Sequence, residues 1–203
     1  CHLPVGQQVG RHERIRLVGV VTGAGQHLRA HVGEAQRVRS AVLQGGVAPS
    51  KPASCLRLGY LSWDYHEHAT AYLMAEVFEL HNRDHFSVTA YSLGPDDGST
   101  IRQRIRGACD AFIDVAALSD AAAARRIADD GIDILIDLKG YTFGSRAPIL
   151  AYRPAPVQVN WLGFPGTMGT PCIDWILADS FIIPVGAENH YDERVCRLPD
   201  CYQ

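Results

Sequence analysis

Leu56, Leu58, Tyr60 and Leu61 are apolar positions with Arg57 and Gly59 between them, a pattern that predicts a buried strand over 56–62. The polar turn Asp64-Tyr65-His66-Glu67-His68 follows. Beyond it, Tyr72, Leu73, Met74, Val77, Phe78 and Leu80 are spaced to cover one face of a helix over 70–81. The alternation continues. Strand 87–93 runs into a Gly94-Pro95-Asp96-Asp97-Gly98 turn, then helix 100–107 and a short strand at 111–115. Ser119 is placed to cap an alanine-rich helix reaching Asp130, with Asp120 beside the cap favouring the positive end of the helix dipole. Strand 132–138, short helix 145–152, strands 157–162 and 173–178, and a further strand at 195–198 complete the pattern. Repeated βα units of this length predict an α/β fold: a Rossmann-like, mostly parallel sheet with helices on both faces.

Residues 1–53 read differently, as an irregular leader and linker rich in Arg, His, Gly, Val and Gln, ending in Gly45-Gly46-Val47-Ala48-Pro49-Ser50-Lys51-Pro52. Val18 to Gly25 contains a G-x-G step, but Leu28 stands where a third glycine would complete a dinucleotide loop. The globular domain is therefore expected over 54–203. With 203 residues and 47% hydrophobic content the chain has room for one α/β domain and an appendage. A net charge of −3 gives no reason to expect nucleic acid, and no apolar run is long enough to span a bilayer. The charge is unevenly divided. Residues 1–50 hold six Arg and two acids, a surplus of four positive charges, which leaves −7 for the remainder. Six Cys without a C-x-x-C pair, Cys109 and Cys172 among apolar neighbours, fit reduced core thiols of a cytoplasmic protein. No signal peptide opens the chain, which begins at Cys1 and reads as a fragment.

Three stretches at the carboxyl ends of expected strands carry chemistry. In the first, Asp64 and His68 lie four positions apart in one turn, so a carboxylate and an imidazole share a pocket mouth suited to general acid–base work. His66-x-His68 with Asp64 is the metal alternative, but no second ligand cluster accompanies it; His81 and His85, at a helix end and in a loop, look solvated. The second stretch is Asp137 to Arg146, where Gly140 and Gly144 allow close backbone approach and Arg146 can pair with phosphate or carboxylate. Its alternative is a tight turn with Asp137 and Lys139 exposed. The third is Arg153 to Gly169, with glycines at 163, 166 and 169 but no Walker lysine. These glycines suit either backbone donors facing a sugar or phosphate, or turns alone. Three such loops at strand carboxyl ends point to one shared crevice.

Gly59-Tyr60-Leu61-Ser62-x-Asp64-Tyr65-x-x-His68, the segments 91–99 and 130–142, Arg153-Pro154-Ala155-Pro156-Val157-Gln158-Val159-Asn160-Trp161-Leu162-Gly163-Phe164-Pro165-Gly166-Thr167-Met168-Gly169 and the final 197–203 together resemble the catalytic region of the O-linked N-acetylglucosamine transferase family, SPINDLY-like members included. The resemblance covers about 55–203, and residues 1–50 do not share it. It implies the N-terminal lobe of a GT-B glycosyltransferase and inverting transfer of N-acetylglucosamine from UDP-N-acetylglucosamine to a protein Ser or Thr hydroxyl, with no metal and no further cofactor. It implies Asp64 and His68 as the catalytic pair. It also implies Thr70, Tyr141, Thr142, Arg146, Leu162, Gly163, Pro165 and Gly166 as substrate-binding positions. Ala69 stands where the family has Pro, Tyr72 where it has a later His, and Phe143 where it has Lys or a similar polar residue. The family's nucleotide pocket and its tetratricopeptide repeats belong to other parts of a parent protein, so the chain alone is expected to be inactive. A SPINDLY-like fucosyl transfer and a silent scaffold of the same shape are the alternatives.

Overall fold

The computed structural model describes residues 55–203; the expected leader and the Val18–Gly25 step lie outside the described residues. Seven parallel strands form one sheet: β1 (Leu56–Ser62), β2 (Phe86–Ser92), β3 (Ala111–Asp114), β4 (Ile134–Asp137), β5 (Val157–Asn160), β6 (Trp175–Ala178) and β7 (Arg194–Arg197). Their order is β3-β2-β1-β4-β5-β6-β7. Helices α1 (Ala69–Leu80), α2 (Thr100–Ala108), α3 (Asp120–Asp129) and α4 (Pro148–Ala151) connect them.

Strand alternation sorts the side chains into two cores. Leu58 and Tyr60 of β1 and Ile134 and Ile136 of β4 pack with Met74, Val77 and Phe78 of α1 and Ile101 and Ile105 of α2. Leu61 and Leu135 join the other core with Ile127 of α3 and Ile149 and Leu150 of α4. The sheet is thus covered by helices on both faces, as the pattern predicts, and its inner strands β4, β5 and β6 are buried throughout. Gly59 sits where this packing leaves no room: a Cβ there would meet Ile132, Tyr91 and Leu135 at 3.0–3.2 Å.

Sequence order reverses between β1 and β4, which pair with Leu61 opposite Asp137. In an open α/β sheet that switch point opens a crevice at the strands' carboxyl ends. Several elements are shorter than the pattern predicts, among them strand 157–162, which ends at Asn160, and strand 173–178, which begins at Trp175. Helix 145–152 contracts to Pro148–Ala151 because Pro148, without an N–H, suits the first helical turn. Strand 132–138 contracts to Ile134–Asp137, and the Asp133 carboxylate instead accepts from the Arg57 amide and guanidinium. The expectation of a solvated His81 is overturned: only 3% of it is exposed, while His85 is exposed. Its position closes α1 against the sheet, so Tyr60 reaches it through the core.

Candidate active site at the switch point

The turn after β1 is built from the sheet upward. Ser62 Oγ, buried at the strand end, accepts the Asp64 amide at 3.0 Å. Tyr65 turns inward and donates to the Tyr60 carbonyl at 3.0 Å. The buried Arg102 of α2 donates to the Tyr65 carbonyl at 2.8 Å and to Ser92 Oγ at 3.1 Å. This clamp fixes the backbone on which Asp64, His66 and His68 stand. His68 is the N-cap of α1: its Nδ1 accepts the Thr70 amide at 3.1 Å, meeting a donor that the first helical turn leaves free.

Asp64, 4% exposed, faces across the switch point. Its Oδ2 lies 2.6 Å from Nζ of Lys139, which is also 4% exposed and follows β4. The same Oδ2 is 3.6 Å from His68 Nδ1. An isolated buried carboxylate is strongly disfavoured, and the Lys139 contact offsets the cost of placing Asp64 there. Asp137, at the end of β4, shapes the lysine's turn by accepting the amides of Lys139 and Gly140, both at 3.0 Å. Burial pushes the Asp137 carboxyl up to about 6, against these two amide bonds and the Lys139 charge. Asp137 and Lys139 are both buried, so the alternative with the two exposed in a tight turn is overturned.

The Gly140 turn and the 162–169 loop interlock. A Cβ on Gly140, at φ +53, would come within 2.4 Å of Phe164 Cβ, and one on Gly163 within 2.3 Å of the Leu138 carbonyl. Leu162 has φ +73, and the Gly163 amide donates to the Trp161 carbonyl at 3.0 Å, a γ-turn of the rare positive-φ form. Tyr202 secures it by donating to the Leu162 carbonyl at 2.7 Å. Tyr141 donates to the Met168 carbonyl at 2.7 Å and packs edge-on against Phe164, while Thr142 Oγ1 donates to the Lys139 carbonyl at 2.8 Å. The Pro165 and Gly166 carbonyls accept from Tyr191 and Asn160.

The structure therefore brings Asp64, His68, Thr70, Tyr141, Thr142, Leu162, Gly163, Pro165 and Gly166 to the loops around one edge of the sheet. Arg146 is held apart from the Asp64–His68 pair. Its Nε donates to Asp120 at 2.7 Å and its other nitrogens to the Val115 and Leu118 carbonyls at 3.0 and 2.6 Å, in the approach to α3. Sequence reasoning missed Lys139 as a member of the site; the only signal was its place directly after a strand of buried residues. At the departures from the expected pattern, Ala69 is the first helical residue, Tyr72 donates to Glu67, and Phe143 is exposed beside Trp63. Among the described residues no three His, Cys, Asp or Glu are grouped to hold a metal, and no helix is long and apolar enough to cross a membrane.

A family model described as Glycosyl transferase family 41 matches residues 34–203. The chain belongs to glycosyl transferase family 41. The match begins at residue 34, inside the segment that carried no visible resemblance, so the family's extent is larger than the motifs alone indicate. The chain is 44% identical over 147 residues to the probable UDP-N-acetylglucosamine–peptide N-acetylglucosaminyltransferase SEC of Arabidopsis thaliana. It is 38% identical over 148 residues to the UDP-N-acetylglucosamine–peptide N-acetylglucosaminyltransferase of Caenorhabditis elegans. These alignments cover 72% of the chain and only 15% and 13% of the relatives. The SPINDLY protein of Arabidopsis thaliana is 31% identical over 157 residues, 76% of the chain and 17% of that relative. An O-GlcNAc transferase structure from Thermobaculum terrenum superposes with a TM-score of 0.71 at 31% identity, over 86% of the chain and 38% of that structure. The seven-stranded sheet is thus a Rossmann-like lobe of the family 41 fold.

Proposed function

We propose that this chain is the acceptor-side lobe of a family 41 transferase that moves N-acetylglucosamine from UDP-N-acetylglucosamine to Ser or Thr hydroxyls of proteins, with inversion. The observation that carries the reading is the buried Asp64–Lys139 pair spanning the switch point with His68 beside it. Charged and imidazole groups are thereby held without freedom to collapse at the crevice where such sheets bind ligands. Asp64 and His68 are the reacting groups of this lobe. Thr70, Tyr141, Thr142, Leu162, Gly163, Pro165 and Gly166 shape the sugar and acceptor surface, with Arg146 at its margin. The N-acetylglucosamine reading is favoured over fucose because the relatives at 44%, 38% and 31% identity are all named as UDP-N-acetylglucosamine–peptide N-acetylglucosaminyltransferases.

In this reading the donor nucleotide is held mainly by a second lobe of a longer parent protein, and its tetratricopeptide repeats select the protein acceptor. The chain spans 38% of the bacterial structure, in keeping with that division. The transfer takes no metal and no nucleic acid, and the protein works in the cytoplasm, where the described cysteines stay unpaired. In the parent protein, D64N and H68A each lower labelled-sugar transfer by about 100-fold or more, while the isolated 203-residue chain transfers none. Full activity in both variants, or stoichiometric zinc by elemental analysis, overturns the reading.

A further inference from the structure

The turn after β1 holds two imidazoles whose ring centres lie 5.6 Å apart. The backbone engages each through Nδ1, in opposite senses. His66 Nδ1 faces the Trp63 carbonyl at 3.2 Å. A carbonyl only accepts, so the neutral ring carries its proton on Nδ1 and keeps a lone pair on Nε2. His68 Nδ1 instead faces the amide N–H of Thr70. An amide N–H only donates, so this ring keeps its lone pair on Nδ1 and its proton on Nε2.

Lys139 guards the second arrangement. A carboxylate beside an imidazole nitrogen ordinarily draws the ring proton to that nitrogen, and Asp64 Oδ2 is 3.6 Å from His68 Nδ1. Here Oδ2 is engaged by Lys139 Nζ at 2.6 Å, a full ångström closer. The Thr70 amide is left with the nitrogen.

We propose that the two rings are fixed in opposite tautomers, so that His66, and not His68, accepts the proton of the incoming hydroxyl, while His68 presents a donor. The proton-accepting role rests on the transferase reading; the tautomers do not. In the step, the acceptor oxygen bonds to the anomeric carbon as its O–H bond breaks, and the proton passes to His66 Nε2. The bond between that carbon and the diphosphate oxygen breaks, and its electron pair departs with UDP. His68 Nε2–H hydrogen-bonds the negative charge that develops. The imidazolium on His66 still donates from Nδ1 to the Trp63 carbonyl, so the step disturbs no backbone contact. His68 has no such path, because its lone pair already serves the Thr70 amide.

Long-range proton–nitrogen correlation spectra of the 15N-labelled 203-residue chain, with H66Q and H68Q for assignment, read the tautomers directly. The expected result is Nδ1–H at His66 and Nε2–H at His68; either ring in the opposite form overturns the proposal. In K139M, His68 shifts to Nδ1–H while His66 stays as it was, and an unchanged His68 in a folded variant removes Lys139 from the account. The His81 signals report folding, since that ring is set between the Val77 carbonyl and the Tyr60 hydroxyl; if K139M does not fold, the unsubstituted chain's spectrum still decides. In a transfer-competent parent, H66Q lowers kcat about 100-fold and flattens the acid-side fall of the pH–rate profile. Unchanged kcat in H66Q with activity lost in D64N sinks this proposal and leaves the transferase reading standing; unchanged kcat in D64N and H68A sinks the reading itself.

Discussion

The two ends of α1 each hold a histidine, and they differ in nearly everything else. His68 opens the helix at the carboxyl edge of the sheet, with 44% of its side chain exposed, and borrows an amide from Thr70. His81 closes the helix at the amino edge with 3% exposed, receives the Tyr60 hydroxyl at 2.9 Å on Nε2, and uses Nδ1 on the Val77 carbonyl. Burial pushes His81 down to about 4, so it stays neutral, a core residue with both nitrogens spent. One edge of the sheet keeps imidazole capacity in reserve at solvent; the other consumes it in packing. Residue type alone does not mark chemistry: the number of ring nitrogens left uncommitted does.

The comparison is most severely broken at Lys139. K139M leaves the Asp64 carboxylate buried without its cation, and chemical denaturation should show a loss of about 3–5 kcal/mol, mostly restored in D64N/K139M. Next comes pH. His81, neutral in the folded state and titrating near 6.5 when unfolded, stabilises the protein above that value, and the contribution is lost as pH falls toward 4. Asp137 acts with the opposite sign. Its carboxyl is raised to about 6 from 3.8, so the folded state gains stability as pH falls from 6 toward 4. Each effect is on the order of 3 kcal/mol over its range, and the two largely cancel between pH 4 and 6. D137N should therefore unmask a stability that declines steadily on acidification across that interval, relative to the unsubstituted chain; parallel curves for the two proteins would refute the opposition.

Smaller changes sharpen the contrast between helix ends. Y60F strips His81 Nε2 of its buried partner and is expected to cost about 1–2 kcal/mol in a melting or denaturant experiment. H68A removes a cap at the exposed end and should cost about 1 kcal/mol or less by the same measurement. A larger loss from H68A than from Y60F would show that the exposed end carries more of the fold than its geometry indicates.

Much of this architecture was legible before any coordinates. Strand β1, helix α1, the Ser119 cap and the three loops at strand carboxyl ends follow from local periodicity and turn chemistry, which act over a few residues. The Asp64–Lys139 pair was not legible. It joins positions 75 apart through strand order, and no local pattern encodes which strand becomes the neighbour of β1. His81 misled for the same reason: a helix-end histidine reads as solvated until Tyr60 is seen beneath it. Arg146 lies at the right edge but is engaged by Asp120 and two carbonyls, a commitment visible only once α3 is placed. His66 reads in the sequence as one more titratable residue of the turn, because a ring's free nitrogen depends on which backbone group its partner nitrogen meets.

Tyr202 ties the far end of the described chain to the site loop. Its amide donates to Asp179, its carbonyl accepts from Trp161 Nε1, and its hydroxyl holds the Leu162 carbonyl forty positions away. Those bonds make a mechanical coupling: tension or rotation applied near residue 203, by a fused tag or a neighbouring body, has a direct hydrogen-bonded route to the γ-turn at Leu162.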